Sequence, residues 1–175
     1  MPRLLMTPLP AALDPAAPLV AWRIDAERHR TNWDSGVGAE LMGGRWNPKG
    51  LKAVYCSIDP STCLVETAVH RGFKVLDTVP HVLTSLEIVD ATRVHVVMPA
   101  DIPNPAWLHG GTPSAYQQAW GATLLEANGF VLFPSAVSKR SWNLVFGPTA
   151  AHGKYKLRSQ ERLVVDTRLN PCRLR

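Results

Sequence analysis

The run His81-Val82-Leu83-Thr84-Ser85-Leu86-Glu87-Ile88-Val89-Asp90 is followed, after Ala91-Thr92, by Arg93-Val94-His95-Val96-Val97-Met98. Both segments are rich in Val, Ile and Thr, side chains that suit a pleated, half-buried surface. They read as two strands, His81 to Asp90 and Arg93 to Met98, joined by a short turn. No helix fits between them, whereas a doubly wound parallel sheet needs one after almost every strand. Working toward the N-terminus, Ala53 to Ser57 reads as a buried strand and Leu19 to Ile24 as another. Between these two strands, Asp34 to Gly50 is a glycine-containing loop. A helix starts at Pro60, with Asp59 placed to cap it, and runs to about Arg71 before the stop at Gly72. Toward the C-terminus, Asp101 to Thr112 is a Pro/Gly-punctuated loop. Pro113 to Asn128 reads as a second helix, ended by Asn128-Gly129. Phe130 to Phe133, Trp142 to Phe146, Tyr155 to Leu157 and Arg162 to Asp166 are further strands. Strands outnumber helices and regular β-α-β alternation is absent, so the fold class is α+β.

At 175 residues, with 46% hydrophobic and 19% charged side chains, the chain has the composition of one globular domain. We expect that domain over residues 19–175, preceded by a leader, residues 1–18, that Pro8, Pro10, Asp14, Pro15 and Pro18 keep from forming an apolar segment. No apolar run approaches the roughly 18 residues that span a bilayer, so no membrane association and a cytoplasmic location are expected. Cys56, Cys63 and Cys172 are odd in number and lack metal-ligand spacing, which fits a reducing compartment. Cys56 and Cys63 sit among apolar neighbours and read as small core residues. The six histidines show no ligand spacing, and no Walker loop or dinucleotide fingerprint is present, so neither a metal nor hydride transfer is expected. The net charge of +5 and pI near 9.4 favour anionic partners. The basic residues are scattered, apart from Lys154 to Arg162 and Arg168, Arg173 and Arg175 near the C-terminus. That distribution argues weakly for a nucleic-acid-binding module.

Chemistry gathers around a few positions. Gly43-Gly44-Arg45-Trp46-Asn47 combines backbone freedom with the planar donor fork of Arg45, suited to phosphate or carboxylate; a structural turn explains it equally well. Trp46 covers a ligand base or fills the core. Strand alternation puts Arg23 on the face opposite Trp22 and Ile24. Tyr55 lies in an apolar strand, where its hydroxyl needs a partner. On the helix from Pro60, Leu64, Val65, Ala68 and Val69 form the apolar stripe. Glu66 then falls on the other side with Thr62 and His70, either solvated and paired with His70 or lining a cleft. Ser135 follows a buried strand and lacks the elbow motif of a hydrolase nucleophile.

These segments together resemble the RES domain family. The matching pieces are Trp22-Arg23, Gly43 to Gly50, Val54-Tyr55-Cys56-Ser57, Leu64-Val65-Glu66, and Pro134-Ser135-Ala136-Val137 with Asn143. They span roughly Val20 to Asp166 in the family's order. The resemblance implies an ADP-ribosyltransferase-like core of two small mixed or antiparallel sheets with flanking helices. It implies the toxin of a bacterial type II toxin–antitoxin pair that consumes NAD by hydrolysis or phosphorolysis, or transfers ADP-ribose to a protein. Its partner would be an Xre-type helix-turn-helix antitoxin that covers the active site and alone contacts DNA. Carried onto this sequence, Glu66, Arg45 and Tyr55 are the catalytic group, and Arg23, Arg45, Tyr55, Ser135 and Asn143 bind NAD, with no metal. Glu66 would stabilise the positive charge that develops on the ribose.

Overall fold

The structure, a computed structural model, describes residues 18–111 and 113–166. The expected leader therefore lies outside the described residues except at Pro18, as do Cys172 and the arginines beyond Asp166. Among the described residues there are seven strands: β1 (Leu19–Ala26), β2 (Val54–Ser57), β3 (His81–Ile88), β4 (Val94–Val96), β5 (Phe130–Pro134), β6 (Trp142–Phe146) and β7 (Tyr155–Leu163). Five helices accompany them: α1 (Val37–Met42), α2 (Pro60–Arg71), α3 (Phe73–Thr78), α4 (Ala115–Ala127) and α5 (Pro148–Ala151). The strands form one mixed sheet in the order β4-β5-β6-β2-β1-β3-β7. All neighbours are antiparallel except β4 and β5, whose parallel pairing is made possible by the α4 crossover.

The two small sheets expected from the resemblance are continuous here, but the join is narrow. β1 and β3 pair along eight positions, from Leu19↔Ile88 to Ala26↔His81, whereas β1 and β2 meet only at Trp22↔Ser57. The sheet thus has a half made of β4, β5, β6 and β2 and a half made of β1, β3 and β7. The strands β3 and β4, adjacent in sequence, do not pair. A short 3-10 turn, Ala91–Arg93, carries the chain from one half to the opposite edge of the other, because β1 and β7 already occupy both sides of β3. The expected strands Tyr155 to Leu157 and Arg162 to Asp166 are joined in one strand, β7, which has an irregularity opposite Ser85/Leu86 and ends at Leu163, so Val164 to Asp166 lie outside it. Three further helices are present: α1 arises inside the stretch Asp34 to Gly50, read as a loop, and α3 and α5 in stretches where the sequence predicts no element.

Alternation along the strands divides the core. Val54, Cys56, Leu132, Leu144 and Phe146 pack with Leu19, Ala21 and Leu86 on one face. Val131, Phe133, Val145 and Tyr55 lie on the other, under Trp46 and α4. α2 and α3 cover the β1–β3 half through Ile24, Cys63, Ala68 and Leu76. Cys56 and Cys63 are buried as expected. Burial pushes both thiols up, Cys63 to about 12, so neither is ionised near neutrality. Among the described residues, no helix is long and apolar enough to cross a membrane.

Candidate active site

α2 begins as its sequence dictates. Asp59 accepts from the Thr62 N–H at 2.7 Å and the Thr62 hydroxyl at 2.7 Å, and Pro60 occupies the first turn. Ser141 also donates to Asp59 at 2.8 Å, tying the helix start to the loop before β6. The orientation of α2 differs from the periodicity reading. Val65 and Val69 face outward, 40% and 64% exposed, while Thr62, Cys63 and Ala68 are buried. Satisfied by Asp59, Thr62 can turn inward, and Glu66, one turn on, follows it.

Glu66 is half-buried and bonds to neither solvent-facing His70 nor any other α2 side chain. Its Oε1 accepts from the Ser135 hydroxyl at 2.7 Å and from the Asn143 Nδ2 at 2.6 Å. The tertiary fold has thus brought together three residues that are 69 and 77 positions apart in sequence. Ser135 is itself fixed, since its oxygen accepts the N–H groups of Val137 (3.2 Å) and Ser138 (2.8 Å). Asn143 sits opposite Ser57 in the β2–β6 register and accepts from its hydroxyl at 2.8 Å. Ser57 alternates with Tyr55 on β2, so the two share a face. That alternation was the available signal for Ser57, which sequence reasoning missed.

The opposite wall is the Gly43 to Asn47 loop. Tyr55 donates to Asn47 Oδ1 at 2.7 Å and its oxygen accepts from the Trp46 N–H at 3.1 Å. Burial pushes the Tyr55 phenol far above its ordinary value, so it stays protonated and able to donate. Gly44 is required here, because a Cβ would lie 2.4 Å from the Tyr55 hydroxyl and 2.5 Å from Asn47 Oδ1. Trp46 is core, 2% exposed and stacked on Phe133 with ring centroids 4.3 Å apart. α4 supports the loop through Gln117 and Gln118, which donate to the carbonyls of Arg45 (3.4 Å) and Gly44 (2.8 Å). Nothing in the local sequence distinguishes these glutamines from surface ones.

The two candidate arginines have different surroundings. Arg23 donates to Asp25 Oδ1 at 2.7 Å, its Nε lies 2.7 Å from Asp25 Oδ2, and it donates to the Tyr55 carbonyl at 2.9 Å. Burial works against the Arg23 charge, but buried Asp25 outweighs it and the pKa is raised. Arg45 makes no ion pair among the described residues. One of its N–H groups donates to the Trp107 carbonyl. Half-burial lowers its pKa, partly offset by the negative charge of Glu66; the Tyr55 phenol is not ionised, so Glu66 is the acidic group that favours its charge. The site therefore presents a positioned carboxylate and a cation with donors to spare, with Tyr55, Ser57 and Asn143 on one face of the sheet.

A RES domain pattern matches residues 20–166. The chain belongs to the RES domain family. Relatives include a Sphingobium sp. (strain YBL2) protein named Prs ADP-ribosylating toxin, 27% identical over 158 residues, covering 85% of this chain and 94% of that protein. A protein named Toxin Res from Yersinia enterocolitica is 30% identical over 133 residues, covering 74% of this chain and 84% of its own. Among solved structures, the M. tuberculosis MbcT–MbcA toxin–antitoxin complex contains a chain with the same fold, at a TM-score of 0.65 and 21% identity. The match covers 83% of this RES domain chain and 84% of that one. A cavity of about 640 Å³ lies elsewhere on the RES domain, beside Asp90, Arg93, His95 and Lys154. Two of its charged groups are already engaged, Arg93 with Asp90 and Lys154 with the Ala150 carbonyl. Among the described residues, no group of three or more His, Cys, Asp and Glu could hold a metal ion.

Proposed function

We propose that this RES domain is the toxin of a bacterial toxin–antitoxin pair and cleaves the nicotinamide–ribose bond of NAD. The observation that carries the reading is the Glu66 carboxylate, fixed by Ser135 and Asn143, together with Arg45, which makes no ion pair among the described residues. As the C–N bond breaks, its electron pair leaves with nicotinamide, which becomes neutral, and the ribose takes on oxocarbenium character. A carboxylate already oriented, with no reorganisation left to make, stabilises that charge. Water or inorganic phosphate then adds to the ribose carbon, and water's attack releases a proton. Arg45 grips the pyrophosphate by charge-assisted hydrogen bonds. Tyr55 keeps the loop carrying Arg45 in place and supplies a flat wall. Arg23, neutralised by Asp25, acts chiefly by holding the Tyr55 strand rather than by gripping phosphate.

The name of the Sphingobium relative favours a second reading, ADP-ribosyl transfer to a protein, in which an acceptor side chain replaces water in the same site. A toxin of either kind would act in the cytoplasm. It would be restrained by a cognate antitoxin, for which an Xre-type helix-turn-helix protein covering the site is the proposed partner. Purified protein is expected to release nicotinamide from NAD, and Glu66→Ala or Arg45→Ala to reduce the rate by about a hundredfold or more. Undiminished turnover in both variants would refute the assignment. Product analysis with and without phosphate separates hydrolysis from phosphorolysis. Label transfer from NAD to a lysate protein identifies the transferase.

A further inference from the structure

We propose that Ser57 and Asn143 are positioning residues for Glu66: the Ser57 hydroxyl anchors the Asn143 amide, which holds one carboxylate oxygen and leaves the other for the ribose. The proposal rests on the reading of Glu66 given above and extends it to residues behind the carboxylate. Asn143 has an amide whose two ends are nearly the same shape, so its partners decide which way it points. Ser57 is 3% exposed and its hydroxyl donates to Asn143 Oδ1 at 2.8 Å. With that end of the amide held, Nδ2 lies 2.6 Å from Glu66 Oε1. The flipped amide would set a carbonyl oxygen against the carboxylate, so Glu66 selects the amide's sense, while the Ser57 hydroxyl, able to donate or accept, anchors its far end. Ser135 is constrained in the same sense. Its oxygen already accepts two backbone N–H groups, so its single proton is directed at Glu66.

Both donors converge on Oε1, and among the described residues no donor reaches Oε2. The last torsion of a glutamate is otherwise broad and soft. Two charge-assisted bonds to one oxygen remove that freedom and present the other oxygen in a fixed direction. Ser57 does not touch Glu66. Its effect passes through Asn143, across a register pair of two interior strands of the sheet.

The test uses the full chain with Ser57→Ala and Ser57→Thr, read by NAD turnover and by the NMR signals of the Asn143 side-chain amide. Ser57→Ala is expected to lower kcat about tenfold, comparable to losing one neutral hydrogen bond in the transition state, with KM for NAD within about twofold. In the wild type, the Asn143 proton facing Glu66 should lie downfield and exchange slowly. In Ser57→Ala it should move upfield and exchange faster, and Ser57→Thr should restore both readouts. A folded Ser57→Ala with wild-type kcat and amide signals overturns the proposal, as does a folded Ser57→Thr that loses both. Should Ser57→Ala not fold, Ser57→Cys, similar in size but a weaker donor, is judged by the same two measures. If wild-type protein releases no nicotinamide, the functional reading falls, and the amide signals alone decide whether Ser57 positions Asn143.

Discussion

Replacing Gly121 by alanine tests whether α4 and the Arg45 loop are as closely packed as the site requires. A Cβ at Gly121 would lie 2.4 Å from the Trp46 carbonyl oxygen and 2.8 Å from its Cα. Those distances are about 1 Å short of ordinary contact. The obstructing atoms are backbone, and Trp46 cannot retreat, because its ring is stacked on Phe133 and 2% exposed. The helix must therefore lift, straining the bonds from Gln117 and Gln118 to the loop carbonyls. Overpacking of this kind costs about 1–3 kcal/mol. Weakening two neutral hydrogen bonds adds about 1 kcal/mol, and the better helix propensity of alanine returns about 1 kcal/mol. The expected net loss is about 2 kcal/mol, or roughly 4–8 °C in Tm for a chain of this size. Gly38→Ala, in a helix where a Cβ meets nothing within 4 Å, is the control and should gain stability, by up to about 1 kcal/mol. Urea unfolding and thermal melts measure both. A Gly121→Ala protein as stable as the wild type, with unchanged NAD turnover, would show that the helix and loop are not in the tight contact argued here.

Three further outcomes follow from individual contacts. Tyr55→Phe leaves the Trp46 N–H and Asn47 Oδ1 without their shared partner and should cost about 1–3 kcal/mol in urea unfolding. Asp25→Ala strands the Arg23 guanidinium, whose side chain is 23% exposed, and should cost about 3 kcal/mol, with Asp25→Ala/Arg23→Met recovering part of the loss. Burial would raise the Asp59 pKa, but hydrogen bonds from Thr62 and Ser141 outweigh it and lower the value. A carboxyl with a depressed folded-state pKa contributes stability above its ordinary value of about 4 and loses it as pH falls further. The stability difference between wild type and Asp59→Asn should therefore be largest above about pH 5 and shrink on acidification, as pH-dependent urea midpoints would show.

Much of the architecture was legible locally. Pro60 to Arg71 and its stop at Gly72 agree with the observed helix because cap, first-turn proline and terminal glycine are short-range devices. The α+β class followed from consecutive strands without helices between them. The pairing of those strands was not legible. β3 and β4 look like neighbours, yet each bonds to strands distant in sequence, because register depends on which faces must be covered.

The candidate site divides along the same line. By itself the sequence determined the residue types and their order: an arginine in a glycine turn, a tyrosine strand, a glutamate helix and a serine beyond a buried strand. It favoured a solvated Glu66 beside His70 and left a cleft open as the alternative, since helical periodicity records which side is polar and not what faces it. Only the tertiary structure decided that Thr62 turns inward on Asp59 and takes Glu66 with it toward Ser135 and Asn143. It likewise separated the arginines, assigning Asp25 to Arg23 and leaving Arg45 without an ion pair among the described residues. Such choices rest on contacts between segments far apart in the chain, which no local pattern encodes.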